Sequence, residues 1–455
     1  MPKVVNIFLR SLGVMVEWLL ILCIAFAFLI RTSAFQTYIA HLAADYYAKV
    51  WNTKVEIGKV DITFFSRVYI EDVLIQDHHQ RNMIVAPNIE LTLDGIGLEH
   101  AEINELTLNN AEVWFCKERE NGEMNFQFIA DYFATEDTTQ SNFTTTLKTL
   151  RLKDARIKYD DFRVRAKAKG FDPSHIAFNN VCLSLQGLKN KGPATEFNLT
   201  DFSMKEKSGL NIHRISGLFS MDEKSLSINK FHCAFNNSHI NAEEIGYHYL
   251  HPKDMEDFNN RVNIKAVFGE STIQLADLSL VSPDLSGMKG PLSFRGTVEN
   301  VVNHLFLRDF EVRVQKNSSI RGDFELPSFE NLTKFKIKEN LKYAAFDFQE
   351  LKTLKLPKGK NLPLDDALVR LGKVQVRQLV AEVTPNTLRL QPFTVHTQQG
   401  SISLKSSVKI GFQQDDIVVM NENPDKTVLE MSGLKLGSIL NDPAIGQVDG
   451  TVSLN

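Results

Sequence analysis

Few side chains in this sequence stand where they could do chemistry. His78-His79 is an adjacent imidazole pair, but neighbouring side chains on a strand point to opposite faces, so the two would not share a metal ion. Asp365-Asp366 sets two carboxylates together just before Ala367-Leu368-Val369-Arg370. That position suits the first turn of a helix, where acidic groups meet the positive end of the dipole. Cys23, Cys116, Cys182 and Cys233 are far apart and form no CxxC. The three that follow the first apolar run cannot pair evenly, so neither a disulfide framework nor a zinc site is indicated and buried thiols are expected. Asn142-Phe143-Thr144 would accept a glycan only in a eukaryotic secretory setting. HExxH, GxSxG, GxxxxGK[ST] and GxGxxG are all missing. The expectation is a protein without catalytic residues, metal or cofactor, and so not an enzyme. A net charge of −4 supplies no overall basic footprint for nucleic acid.

What remains is apolar surface, and its spacing is regular. The chain carries 31 Phe against 14 Pro and 24 Gly, a sheet-forming composition with few breakers. Val55 and Ile57, then Val60, Ile62 and Phe64, alternate with polar residues, with Gly58 where a bulge could absorb the slipped phase. Ile89-Glu90-Leu91-Thr92-Leu93, Leu106-Thr107-Leu108 and Val113-Trp114-Phe115 repeat the alternation. One face of the resulting sheet is therefore apolar. Its candidate lining residues are Ile57, Ile62, Phe64, Leu91, Leu93, Leu108, Phe115, Leu152, Ile157, Leu183 and Leu185 in the first half of the chain. In the second half they are Ile228, Phe235, Ile264, Phe268, Leu275, Phe294, Val312, Val314, Leu390, Val395 and Leu404.

Ahead of the sheet lie twenty residues between Arg10 and Arg31 with a single charge, Glu17. At 1.5 Å per residue such a run covers roughly 30 Å, the thickness of a bilayer core. It is long for a signal peptide, and cleavage at Thr32-Ser33-Ala34 would cut the capping box that Ser33 and Gln36 could form. Leu22 is too large before Cys23 for a lipobox. Residues 1–31 are expected to be a retained single-pass anchor. Lys3, Arg10 and the free amine precede it, placing the N-terminus in the cytoplasm and the remainder outside. Residues 32–52 read as an amphipathic helix, with Phe35, Ile39, Leu42, Tyr46 and Val50 on the face expected to lie against the start of the sheet.

The stretches Phe35-Gln36-Thr37-Tyr38-Ile39-Ala40, Val55-Glu56-Ile57-Gly58-Lys59-Val60-Asp61-Ile62 and Ile70-Glu71-Asp72-Val73-Leu74-Ile75-Gln76-Asp77 resemble the opening of TamB (translocation and assembly module) proteins of the AsmA-like superfamily. The resemblance covers the N-terminal part of such a protein. It implies an inner-membrane anchor in a diderm bacterial envelope and a long curled β-sheet with an apolar groove in the periplasm. It also implies a role in carrying phospholipid toward the outer membrane, or in outer-membrane protein assembly with a barrel partner.

Beyond the first β segment (residues 53–133), residues 134–146 are polar and read as a mobile loop, and residues 147–455 return to strands. Asn121-Gly122 is a hairpin signal between Val113–Phe115 and Met124–Phe128. Arg163, Arg165, Lys167 and Lys169 alternate, so their charges are expected to share a strand face, either solvated or toward anionic headgroups or a partner. Leu226-x-Ile228-x-x-Phe231-x-Cys233-x-Phe235 recurs as Leu305-x-Leu307-x-x-Phe310-x-Val312-x-Val314 and as Leu388-x-Leu390-x-x-Phe393-x-Val395. The leading leucines are 79 and 83 residues apart, and Gly217, Gly296 and Leu379 begin a strand nine residues before each. A recurring unit of about 80 residues made of short strands and turns could form a propeller, but its blades would be oversized and lack their signature turns, so an open elongated sheet is favoured. Pro327 to Gly372 breaks the strand rhythm, with short helices expected at Asp347–Leu351 and Pro363–Arg370. The last residues, Gln447–Asn455, read as an uncovered strand, taken as a truncated chain or an edge completed by another protein.

The expected fold is mainly β: a transmembrane and an amphipathic helix, then an elongated, curled, antiparallel meander with an apolar interior. Roughly 25–30 strands about 4.8 Å apart would make a sheet on the order of 120–140 Å long. Its apolar side must be filled by its own residues, by a second sheet or by a ligand, and lipid tails fit a trough. A 16-carbon tail loses on the order of 12 kcal/mol on entering water, at ~0.8 kcal/mol per methylene. A continuous groove avoids that loss. The rival expectation is a scaffold or spacer for a barrel partner, with a dry interior filled by side chains.

Overall fold

The computed structural model describes residues 2–63, 66–96, 100–120, 122–133, 144–168, 170–191, 194–281, 283–327, 337–384, 386–413, 416–420 and 427–454. Phe64, Asn121, Lys169, Asn142 of the sequon and residues 134–143 of the segment read as a loop lie outside the described residues, while Thr144, Thr145 and Thr146 of that segment are strand and not loop. The fold is mainly β and divides into two compact units, residues 1–167, 172–189 and 200–207, and residues 168–171, 190–199 and 208–455.

The first unit opens with helix α1 (Pro2–Ile30) and helix α2 (Ser33–Trp51), bent 71° from each other between Glu17–Ile30 and Ser33–Trp51. Among the described residues no single helix is long and apolar enough to cross a membrane; this bent pair together has the length and composition. The cap of α2 is Thr32, whose hydroxyl accepts the Phe35 N–H, in place of the expected box between Ser33 and Gln36. Strands follow: β1 (Val55–Glu56), β2 (Lys59–Thr63), β3 (Arg67–Gln76), β4 (Asn82–Ile96), β5 (His100–Asn109) and β6 (Glu112–Lys117). Helix α3 (Gln127–Phe133) replaces the second arm of the expected hairpin. Only a Lys117–Met124 bridge forms before the chain turns helical. Strand β7 (Thr144–Asp161) then runs parallel to both β5 and β6, and β8 (His175–Lys191) returns antiparallel to it. The sheet is therefore mixed and not a pure meander. The chain leaves β6 at one end and re-enters at the other, as a parallel neighbour requires. Arg163, Arg165 and Lys167 fall in the loop after β7 and share no strand face, because Asp161 binds the Arg163 guanidinium through both oxygens and ends the strand.

The contact between α2 and the sheet is the reverse of the one expected. Ile39, Leu42, Tyr46 and Val50 are exposed. The face on the sheet carries Ser33, Gln36, Thr37 and the buried Ala44. Among the described residues strand β2 pairs with β3 alone, so its other edge presents backbone groups that polar side chains can satisfy and apolar ones could not. Thr37 Oγ1 accepts the Val60 N–H at 2.9 Å and donates to the Val60 carbonyl at 3.1 Å. Ser33 donates to the same carbonyl, and His41 Nε2 lies 3.3 Å from the Gly58 carbonyl.

Strand β9 (Ala194–Glu206) passes, like β8, from one unit to the other. In the second unit β10 (Asn211–Met221), β11 (Ser225–Phe235), β12 (Ser238–His248), β13 (Asn263–Gln274), β14 (Pro291–Asn300), β15 (His304–Val314), β16 (Ser318–Pro327), β17 (Ile337–Asp347) and β18 (Lys373–Thr384) pair antiparallel in chain order. Strand β17 lies inside the stretch read as breaking the strand rhythm. After β18 the sheet forks. One branch holds β19 (Thr387–Leu390), β22 (Val408–Gln413) and β23 (Asp416–Met420); the other holds β20 (Phe393–Thr397), β21 (Gly400–Leu404), β24 (Thr427–Lys435) and β25 (Gln447–Leu454). Gln391-Pro392 separates the branches, since proline has no N–H for the ladder. Short helices sit at strand ends: α4 (Phe258–Arg261), α5 (Leu278–Val281), α6 (Phe348–Leu351), α7 (Asp366–Leu371) and α8 (Leu436–Leu440). Asp347 and Asp365 cap α6 and α7, as the acidic starts predicted.

Candidate functional site

In the first unit the apolar residues form rows that run from strand to strand. Ile62, Val68, Leu91, Leu106, Leu150 and Leu185 are successive cross-strand partners from β2 to β8. A second row, Val60, Ile70, Ile89, Leu108, Leu152 and Leu183, lies two residues along each strand. The opposite face carries Asp61, Tyr69, Glu90, Thr107, Arg151 and Ser184 in the same register. Cross-strand apolar pairs are the unit of sheet stabilisation, and here they continue unbroken across the unit.

Next to the second row the backbone turns left-handed at Asp72 in β3, Asn110 between β5 and β6, Asp154 in β7 and Asn180 in β8. Asp and Asn tolerate that conformation best after glycine. Gly58 lies opposite Asp72, whose Cβ would stand 2.9 Å from a Cβ on the glycine. Each strand thereby slips its alternation by one residue, as a bulge does. Beyond the slip the buried residues are small: Ala86, Ala111, Ala155 and Val181, with Ala155 opposite Val181. Val113 and Ile157 then resume the apolar row opposite Ile84 and Phe178. A cavity of about 560 Å³ opens beside these strands, with Val85, Trp114 and Ala177 from the face opposite the row and Arg81, Glu112, Arg156 and Lys158 around it.

The second unit has the same construction. Phe219, Ile228, Ile245, Ala266, Val298, Leu307, Phe324, Glu339, Ala381 and Leu390 are successive partners from β10 to β19. A parallel row holds Phe294, Val312, Ile320, Ala344, Val376, Val395 and Ile402. Left-handed Lys230, Asp309 and Gln378 lie between the rows, and each occupies the slip position of an apolar-x-apolar-x-x-apolar segment. There large and small residues alternate across the strands: Phe231, Ala242, Phe268 and Gly296, then Phe310, Gly322 and Leu341. A Cβ on Gly296 would lie 2.6 Å from the Phe310 Cα.

Most of the candidate lining residues stand in or beside these rows and are half-buried. Ile57 is in the short break between β1 and β2, not on a strand. Leu93 sits at a register slip opposite Ile103, Phe115 pairs with Tyr159, and Ile264 with Tyr247. Two do not line an open face. Leu275 is buried in a helical turn after β13, and Leu404 is buried between Phe393 and Leu429, both enclosed by their own chain. The candidate lining set lacks Val60, Ile70, Ile89, Leu106 and Leu150, although their signal is present in the sequence. Val68-x-Ile70-x-Asp72-Val73-x-Ile75, Leu106-x-Leu108-x-Asn110-Ala111-x-Val113 and Leu150-x-Leu152-x-Asp154-Ala155-x-Ile157 are one pattern.

The described residues also hold two polar clusters. Asp77, Cys116 and Glu118 bring potential metal-ligand atoms within 4.8 Å of one another. Arg81 already fills the site, donating to Asp77 at 2.7 Å and pairing with Glu118. Burial pushes the Cys116 thiol up to about 12, so beside Arg81 it stays protonated. At the end of β7, Asp160 receives bonds from Trp114 at 2.8 Å and Lys158 at 2.9 Å and lies 3.0 Å from His175. Burial alone would raise the Asp160 carboxyl, but these partners hold it below its ordinary value. The Asp160 bond, then the Val164 carbonyl, raise the pKa of His175, whose two ring nitrogens both face acceptors. Both clusters tie strand ends to loops, and Asp77 and Glu118 also line a cavity of about 230 Å³ with His78, Met124 and Phe128. His78 bonds the Trp51 carbonyl and stacks on Phe128, apart from His79. No family model, curated protein or solved structure matches the chain.

Proposed function

We propose that this chain is a membrane-anchored β-groove protein, of the TamB-like kind its N-terminal motifs resemble, that conducts phospholipid passively along the apolar face of its sheet. The observation that carries the reading is the state of the rows. Leu91, Leu108, Leu152, Leu183, Ile228, Leu307, Phe324 and Val312 are only half-buried, while the smaller Val60, Ala266, Ala344, Val376 and Ala381 of the same rows are buried; large residues filling a sandwich core would be closed off as well. An apolar strip this long needs a partner that is itself long and apolar. Acyl chains meet that demand, and the polar outer face keeps the sheet soluble.

The anchor reading rests on α1. Trp18, Leu19, Leu20, Ile21 and Leu22 follow one another around the helix and are all more than half exposed. A helix that is apolar on every side and uncovered by protein belongs in lipid. The resemblance assigns such an anchor to the inner membrane of a diderm envelope, with the sheet on the periplasmic side.

The test introduces a charge into a row in each unit, Leu108→Glu and Val312→Glu, in the full chain purified in detergent. Lipid that co-purifies, measured by mass spectrometry, and lipid photo-crosslinked to the rows should both fall while the circular dichroism stays that of the parent. Lipid occupancy unchanged in both variants overturns the conduit. Loss of a captured barrel protein instead, with a dry interior, would establish the spacer reading.

A further inference from the structure

We infer that the outward face of α2 lies in the headgroup–acyl boundary of the bilayer that α1 enters, setting the first strands of the apolar face at the membrane surface. This rests on the anchoring proposed above. In a helix packed on a soluble protein the apolar side faces inward and the polar side meets water. Helix α2 does the opposite. Ser33, Gln36 and Thr37 are spent on the backbone of β2. Tyr38, Ile39, Leu42, Tyr46 and Val50 point away from the sheet, and Tyr38 is 58% exposed. At 3.6 residues per turn these five cover an arc of about 120° on the side away from the buried Ala44.

The occupant follows from continuity and angle. Only Arg31 and Thr32 separate this face from the uncovered apolar surface of α1. The 71° bend takes a helix from crossing a bilayer to lying near its plane. Tyr38 has an amphipathic ring suited to the interface, Tyr46 keeps an exposed ring while its hydroxyl meets Tyr132 of α3, and Arg31 at the bend and Lys49 near the far end suit lipid phosphates. Because α2 is bonded along β2, seating it in the interface brings Val60 and Ile62, the first members of the two rows, to the height where acyl chains begin.

The experiment uses the full chain in phosphatidylcholine/phosphatidylglycerol vesicles, with Cys23→Ser, Cys182→Ser and Cys233→Ser and the buried Cys116 retained. An environment-sensitive nitrobenzoxadiazole probe is attached, one site at a time, through Ile24→Cys in α1, Leu42→Cys on the outward face of α2, or Lys153→Cys on the exposed side of β7. All three positions are exposed, so the label displaces no packing. Expected are a blue shift and quenching by nitroxide-bearing lipid at positions 24 and 42, and neither at 153. Quenching at 24 with a water-like, unquenched probe at 42 overturns this inference and leaves the anchor standing. A water-like probe at 24 overturns the anchor itself. A blue shift at 42 that grows with protein concentration and is not quenched by lipid nitroxide means a second copy covers the face, and also overturns the inference.

Discussion

Gln36 stands beside Ile62 as a neighbouring strand would. Its amide oxygen accepts the Ile62 N–H at 2.6 Å, and its amide nitrogen donates back to the Ile62 carbonyl at 3.4 Å. With Thr37 doing the same for Val60, one helix closes the edge of a sheet without adding a strand. Edges left open invite pairing with other chains.

Replacing Gln36 by Ala and Thr37 by Val should reopen that edge. A buried backbone group left without a partner costs about 1–3 kcal/mol, so the double variant should unfold at lower temperature and associate as its concentration rises. Thermal unfolding and light scattering check this. A variant as stable and monodisperse as the parent would show that the helix merely rests on the strand.

Gly296→Ala should be strongly destabilising. Its φ is +131°, and the new methyl would collide with the Phe310 Cα and, at 2.9 Å, with the Asp309 carbonyl oxygen. A loss of about 1–3 kcal/mol is expected. Gly95→Ala, where a Cβ meets nothing within 4 Å, is the control and should change little. Equal midpoints for the two in denaturant titration would refute the packing of Phe against Gly across the slip.

Glu339 interrupts an apolar row between Phe324 and Ala381, and burial there raises its carboxyl above the ordinary value. A raised acid binds its proton more tightly folded than unfolded. The native state therefore loses stability as pH rises from the unfolded pKa, about 4.3, through the folded one. Glu339→Gln should raise the unfolding temperature at neutral pH, with the gain vanishing in acid below both values. A gain independent of pH would point to packing instead of charge.

The pair of His175 and Asp160 should act in the other sense. The raised imidazole adds stability that is complete below its unfolded pKa of about 6.5 and disappears as pH rises through the folded value. The lowered carboxyl adds stability above about 3.9 that disappears as pH falls through its folded value. His175→Gln should therefore be most damaging between those limits and nearly silent in alkali. Titration of His175 by NMR, with no upward displacement of its pKa, would remove the basis for this profile.

Much of the fold was legible because its causes are local. Alternating Leu, Ile and Val specify strands with one apolar face, and Asp347 and Asp365 announce the helices they cap. Even the slip was written out, since Ile228-x-x-Phe231 and Leu307-x-x-Phe310 step by three where alternation steps by two. Read only as an 80-residue repeat, that step hid its commoner use in β3, β5 and β7.

The sequence by itself determined the strand-rich class and the apolar side, because each depends on neighbours within a few residues. Tertiary structure alone decided that β7 lies parallel to β5 and β6, that the sheet forks at Pro392, and which face of α2 is covered. Those outcomes depend on partners far along the chain. An apolar stripe records that a helix has a greasy side, while the bare edge of β2, distant in sequence, is what drew the polar side inward.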